Sequence, residues 1–245
     1  MPGNISDVIS DWFYKGNYHA HYDMGRWNPI ISGTTTPLIT ISTSREKNRF
    51  ETAEQGGGYS NDLEAKMAAK IVASLAGSAF KADKSGVSTP QIGIISAYGK
   101  QVRLIRQKIT EENLGFSPDQ VYSIAASLDS FQGQERPLII YSCTRSADAK
   151  RVPPSRARVG FLKELRRLNV AFTRCQIQLV IIGDFDYLTT CEYEKIDEET
   201  GEPVPNQSEK KYSEFMTKVL DQAKSNKGEF YYADEFYERT GISNV

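Results

Sequence analysis

The sequence predicts a doubly wound, mostly parallel α/β sheet, and three observations carry that prediction. Short strand-like segments recur along the chain at 37–42, 91–95, 121–124, 138–142 and 179–183, and those at 91–95, 138–142 and 179–183 are mainly apolar runs. These three are runs rather than two-residue alternations, the pattern of strands covered on both faces. Between them lie stretches with helical spacing, so strands and helices alternate. Ligands on such sheets gather beyond the C-terminal ends of strands. Ser96 to Gly99, Ser127 to Glu135, Arg145-Ser146 and Asp184 follow strands or lie at their ends, and are expected to line one edge.

Residues 3–15 read as a helix with Ile5, Val8, Ile9 and Trp12 on one side and Asn4 or Ser6 as cap. Residues 16–36 have no periodicity and read as a loop. Pro37 to Ser42 is a strand, and 44–60 is a polar connection ending in Gly56-Gly57-Gly58. The clearest helix starts at Asn61, with Glu64 three residues on as in a capping box. Leu63, Met67, Ile71 and Leu75 then share a face. Residues 77–90 read as a loop, 91–95 as a buried strand and 99–112 as a helix with Val102, Ile105 and Ile109 inward. Val121 to Ile124, Leu138 to Ser142 and Leu179 to Gly183 read as further strands, with a helix over 161–173. An acidic, proline-containing loop over 192–209 precedes a helix over 209–224 with Phe215, Val219 and Leu220 apolar.

Composition narrows the function classes. The chain has 245 residues, 39% of them hydrophobic and 25% charged, as in a water-soluble globular protein with a sizeable core. A formal net charge of −1 gives no global field for nucleic acid. Positive charge is local instead: Lys150, Arg151, Arg156, Arg158, Lys163, Arg166, Arg167 and Arg174 are either a phosphate track or a solvated face. Cys143, Cys175 and Cys191 form no Cys-x-x-Cys pair, which argues against a disulfide framework or zinc site and fits a reducing cytoplasmic or nuclear compartment. His19, His21 and Asp23 read as a surface loop rather than a metal site. No apolar run is long enough to span a membrane, and no signal-peptide core is present. No Gly-x-x-x-x-Gly-Lys-[Ser/Thr] occurs; Lys84-Ser85 follows Asp83 where a glycine is required.

Three segments, taken in order, carry a family likeness. Ile92 to Val102 resembles motif IV, Ser127-Leu128-Asp129-Ser130-Phe131-Gln132-Gly133-Gln134-Glu135 resembles motif V, and Gly160-Phe161-Leu162 with Arg166 to Arg174 resembles motif VI. The set is similar to the second RecA-like domain of superfamily 1B helicases, the branch of the nonsense-mediated-decay helicase, senataxin and the immunoglobulin-mu-binding helicase. The resemblance covers residues 1–190 and is densest over 91–184. Met1 to Ile5 and Phe13 to Gly16 resemble the stretch just after Gln-Tyr-Arg in the family's Gln-Tyr-Arg-Met motif, so the chain is expected to start near a junction of two motor domains. The expected division is 1–36, an N-terminal helix and entry loop; 37–190, the RecA-like domain; and 191–245, a loop and helix packing on it.

The resemblance implies a P-loop NTPase fold without its own phosphate loop. It also implies ATP with magnesium as the nucleotide, the metal held mainly by a first RecA domain. Arg174 matches the arginine finger that stabilises charge on a γ-phosphate. Glu135 matches the glutamate that contacts nucleotide through its ribose, with Gly133 allowing close backbone approach and Arg167 beside them. Ser96 and Ser127 stand where the family places hydroxyls near nucleic-acid phosphates, and Arg145 is a further candidate. Tyr98 is either a base-stacking ring or a core tyrosine. Ala97, Ser127 and Cys175 replace the family's usual proline, threonine and alanine. The partners implied are single-stranded DNA or RNA and the N-terminal RecA domain, with 5′ to 3′ polarity. The alternative is a non-catalytic nucleic-acid-binding module of the same fold. It has no need of both Glu135 and Arg174. A doubly wound metabolic enzyme lacks support, since there is no Gly-x-Gly-x-x-Gly fingerprint.

Overall fold

A computed structural model describes residues 2–17, 28–82, 84, 88–148, 159–190, 194–197 and 199–244. His19, His21, Asp23, Cys191 and the basic residues Lys150, Arg151, Arg156 and Arg158 lie outside them. The central sheet has six strands: β1 (Leu38–Ser42), β2 (Ile92–Ser96), β3 (Ala125–Ser127), β4 (Arg136–Ser142), β5 (Cys175–Gly183) and β6 (Glu229–Tyr232). Their order is β6-β1-β5-β4-β2-β3, and every neighbouring pair is parallel. Helices cover both faces. α1 (Gly3–Phe13), α5 (Leu165–Thr173), α6 (Phe185–Thr190) and α7 (Gln207–Lys224) pack on one side. α2 (Asp62–Ser74), α3 (Gly99–Glu111), α4 (Pro118–Ile124) and α8 (Ala233–Thr240) pack on the other. This is the doubly wound α/β arrangement that the apolar runs predict.

Two covered faces explain those runs. In β4, Ile139 and Tyr141 face one helical layer while Leu138 and Ile140 face the other, so no position is left for a polar residue. Each such side chain contributes about 1.5–3 kcal/mol by leaving water. α2 is buried almost all round, which its alanines permit: Ala65, Ala68 and Ala69 let it approach the sheet and α3 closely.

Several elements differ from expectation for identifiable reasons. Residues 121–124 belong to a helix, not a strand. Ser117 caps it in a full capping box with Gln120, Pro118 opens it, and Val121 and Ile124 lie three apart on its buried face; the strand is the next three residues. At α2, Asn61 does cap, its side chain accepting from the Glu64 N–H at 3.1 Å. Glu64 does not complete the box: the Asn61 N–H donates to Gln101 Oε1, 2.7 Å away, and Glu64 turns into the protein. No side chain caps α1; the Ser6 hydroxyl donates to the Gly3 carbonyl instead. The 161–173 helix is broken into a 3-10 turn, Gly160–Lys163, and α5. The connections 44–60, 77–90 and 192–209 each contain a two-stranded antiparallel hairpin. α6, β6 and α8 were not anticipated. Cys143 and Cys175 are free and buried. Among the described residues, no helix is long and apolar enough to cross a membrane.

Candidate functional site

The register places three serines in one row, two of them singled out in the sequence. Ser127, Ser96 and Ser142 end adjacent strands β3, β2 and β4 and pair directly across them. Around this row lies a buried polar network. Ser96 shares a hydrogen bond with the Thr144 hydroxyl at 2.9 Å. Gln101 donates to Ser142 Oγ, and Ser142 donates to Glu64 Oε2 at 2.7 Å. Glu64 Oε2 also accepts from the Thr144 N–H at 2.8 Å. A carboxylate, Glu51, accepts from Arg145 Nε at 2.6 Å and from the Ser146 N–H at 2.9 Å. Asp184 takes the Ser146 hydroxyl and Arg49. Thus acidic side chains hold the backbone just past β4, where Thr144 has the left-handed φ of 68°.

That network changes the expectation for three residues. Ser96 is fully buried, Tyr98 is 2% exposed and Arg145 1% exposed. The Tyr98 hydroxyl donates to the Val159 carbonyl and accepts from Arg145 Nη1, and its ring meets Tyr59 edge-on. Arg145 lies 4.0 Å over the Tyr59 ring. Burial pushes the Tyr98 phenol up, with Arg145 pulling it back. Ser96, Tyr98 and Arg145 therefore present no open surface to a base or phosphate in this arrangement; they brace the strand ends. Ser127 is half-buried, its hydroxyl sharing a hydrogen bond with Ser130 Oγ at 2.9 Å. Glu51, Gln101 and Arg49 were missed. Glu51 and Arg49 lie in a stretch with no periodicity, and Glu64 carries the signal of a helix cap.

The expected single edge is in fact two. β3 and β4 are parallel, so the connection between them must travel back along the sheet before β4 can start. It does so over β2, where Gly93 leaves room for Phe131: a Cβ at Gly93 would sit 2.4 Å from the Phe131 ring. The chain then turns at Gly133, exposed and with φ 78°, and reaches Glu135 at the N-terminal end of the sheet. α5 runs the same way and delivers Arg174 there. The Arg136 N–H donates to the Arg174 carbonyl at 3.1 Å, which fixes the two segments side by side.

At this end the chemistry is open to solvent. Glu135 is exposed, and Gln176 Nε2 donates to its Oε2 at 3.2 Å. Arg174 is half-buried; its Nε donates to the Val170 carbonyl at 3.3 Å, and it makes no ion pair among the described residues. An arginine with no ion pair among the described residues and an exposed carboxylate, on neighbouring segments at one end of the sheet, suit a ligand that carries both phosphate and hydroxyl groups. Arg167 bonds to protein instead, reaching Glu164 at 3.1 Å and Asp129 at 3.5 Å, and so fastens α5 to the turn after β3. Among the described residues no group of three acids, histidines or cysteines is placed to hold a metal.

Comparison with known proteins identifies the family. The model of the family described as AAA domain matches residues 1–186. The chain is similar to the ATP-dependent helicase NAM7 of Saccharomyces cerevisiae, 34% identical over 187 residues, covering 75% of this chain and 18% of that protein. It is similar to a Regulator of nonsense transcripts 1 homolog of Drosophila melanogaster, 36% identical over 189 residues, covering 75% and 14%. It is also similar to the helicase SEN1 of S. cerevisiae, 29% identical over 188 residues, covering 75% and 8%. The chain thus spans less than a fifth of the length of these relatives. With a match over three quarters of its length and a six-stranded parallel sheet of the RecA-like kind, the chain belongs to the AAA domain family, in the branch of the superfamily 1B helicase domains.

Proposed function

We propose that this chain is the second motor domain of an ATP-dependent helicase, with Arg174 as its arginine finger. The observation that carries the reading is the pairing of Arg174 and Glu135 at one end of adjacent strands, Arg174 without an ion pair among the described residues. Hydrolysis builds negative charge on the γ-phosphate, and a guanidinium from a facing domain stabilises it as it forms. Glu135 accepts from a ribose hydroxyl, with Gln176 steadying it. Gly133 keeps the approach free of a side chain, and Arg167 positions α5 rather than touching nucleotide. A first RecA domain holds the magnesium and cradles the other phosphates, so the isolated chain hydrolyses ATP negligibly. Closure of the cleft between the two domains moves single-stranded DNA or RNA past the C-terminal ends of the strands, where the Ser127 hydroxyl is a candidate phosphate contact.

The test is ATP hydrolysis by this chain mixed with the N-terminal motor half, with and without single-stranded nucleic acid. Stimulated hydrolysis is expected, and Arg174→Ala should lower kcat about 10³-fold or more while leaving the circular dichroism spectrum unchanged. Hydrolysis that survives the substitution removes Arg174 from the role. A folded mixture that never hydrolyses ATP favours a pure binding module.

A further inference from the structure

The structure leaves one large aromatic ring outside the protein at the strand end where nucleic acid is expected. Phe161 is 55% exposed, among the largest exposures of any big hydrophobic side chain described. Its neighbours on both sides are anchored. The Val159 carbonyl accepts from the Tyr98 hydroxyl, the Val159 N–H donates to Glu209 Oε1, and Leu162 is buried. Gly160 adopts φ 54° and is pressed so closely that a Cβ would lie 2.7 Å from both Arg145 Nη1 and the Tyr98 hydroxyl oxygen. The Phe161 ring leans on Tyr98 with centroids 5.8 Å apart. The polar network beneath the strand ends therefore holds an exposed ring on an anchored turn, in tilted contact with Tyr98. Exposed Lys163 and Arg166 follow it, two and five residues on, and make no ion pair among the described residues.

We infer that Phe161 is a stacking platform for a base of single-stranded nucleic acid, with Lys163 and Arg166 contacting its backbone phosphates. The inference rests on the helicase-domain reading for the nature of the ligand. An exposed ring close in sequence to exposed cations is the combination that grips a single strand without reading its sequence: the ring accepts any base and the cations follow the backbone. Tyr98 is then the ring's support rather than the platform. The buried Glu51–Arg145 pair stiffens that support from below.

Equilibrium binding of the full chain to fluorescein-labelled oligothymidylate, oligouridylate and an abasic oligomer of equal length tests this. Phe161→Ala and Phe161→Leu should each bind both base-carrying strands about tenfold more weakly, about 1.4 kcal/mol, and bind the abasic strand as wild type does. Phe161→Trp should restore binding, its added indole emission quenched by the strand. Equal affinity of Phe161→Ala and wild type, an unquenched indole, or an equal loss on the abasic strand overturns the platform while leaving the motor reading standing. A wild-type chain that binds none of the strands overturns the platform and the nucleic-acid part of that reading together, whatever the ATP hydrolysis shows.

Discussion

Glu64 has no exposure to solvent, and its Oε1 has no hydrogen-bond partner among the described residues. Burial pushes its carboxyl up to about 8 from 4.5, the Ser142 hydroxyl and Thr144 N–H pull back, and the Asp184 and Glu51 carboxylates push the same way as burial. The proton therefore stays on in the folded chain at neutral pH. Below pH 4.5 both folded and unfolded chains carry it, and its contribution to stability is complete. Between 4.5 and 8 only the unfolded chain releases it, so stability falls as pH rises through this window. The loss is on the order of a few kcal/mol, at about 1.4 kcal/mol for each unit between the two values. Glu64→Gln keeps the shape of the neutral acid and cannot titrate. Urea unfolding at pH 5 and pH 8 should show a larger drop for wild type than for the variant; equal drops would mean that Glu64 is ionised in the fold.

At the scale of elements, the packing of β2 under the connection from β3 to β4 positions the end of the sheet where Glu135 and Arg174 lie, the proposed nucleotide end. Gly93 lies mid-strand, a position where glycine weakens a strand unless something needs the space. Phe131 and Ile139 need it: a Cβ would lie 2.4 and 2.9 Å from their side chains. Gly93→Ala should cost about 1–3 kcal/mol by overpacking, and Phe131→Leu in the same chain should recover part of it. Urea midpoints of the single and double variants measure this, and additive losses would show that the two positions do not share the space. The sequence reveals Gly93 and Phe131 as parts of separate motifs. It does not reveal their contact, because only the parallel pairing of β3 with β2, and of β2 with β4, forces the connection across that strand. The same limit explains the split of the expected edge. Strand ends are legible from apolar runs, yet Glu135 lies eight residues beyond its strand, far enough to return to the other end. Residues 121–124 show the converse: the Ser117-Pro118-Asp119-Gln120 cap was in the sequence, and the short apolar run outweighed it. Arg174 and Glu135 were candidates because motif order carries them, and the structure brings their segments together; Glu51 was not, because its partner Arg145 is 94 residues away.

At the scale of the whole molecule, the family match ends at residue 186, yet the fold does not. β6 pairs in parallel with β1 from Ile39↔Glu229 to Ser42↔Tyr232, so the tail supplies an edge strand. α7 inserts Tyr212, Phe215, Met216 and Val219 into the core shared with α1 and α5, and α8 inserts Phe236 on the opposite face. Phe215 meets Trp12 and Phe13 edge-on, both at 5.6 Å, and stacks with Phe172 at 6.0 Å. α5 is the helix that carries Arg174, so the tail backs the element that positions the proposed finger. Five buried side chains at about 1.5–3 kcal/mol each match the whole stability of a typical domain, about 5–15 kcal/mol. A chain ended at residue 190 should therefore keep helical circular dichroism but lose its cooperative thermal transition and bind a hydrophobic dye. A loss of 1 kcal/mol lowers Tm by only about 2–4 °C in a domain of this size, so a truncated chain that still melts cooperatively within about 5 °C of the full chain would make the tail an appendage. The position of Arg174 would then depend on residues 1–190 alone.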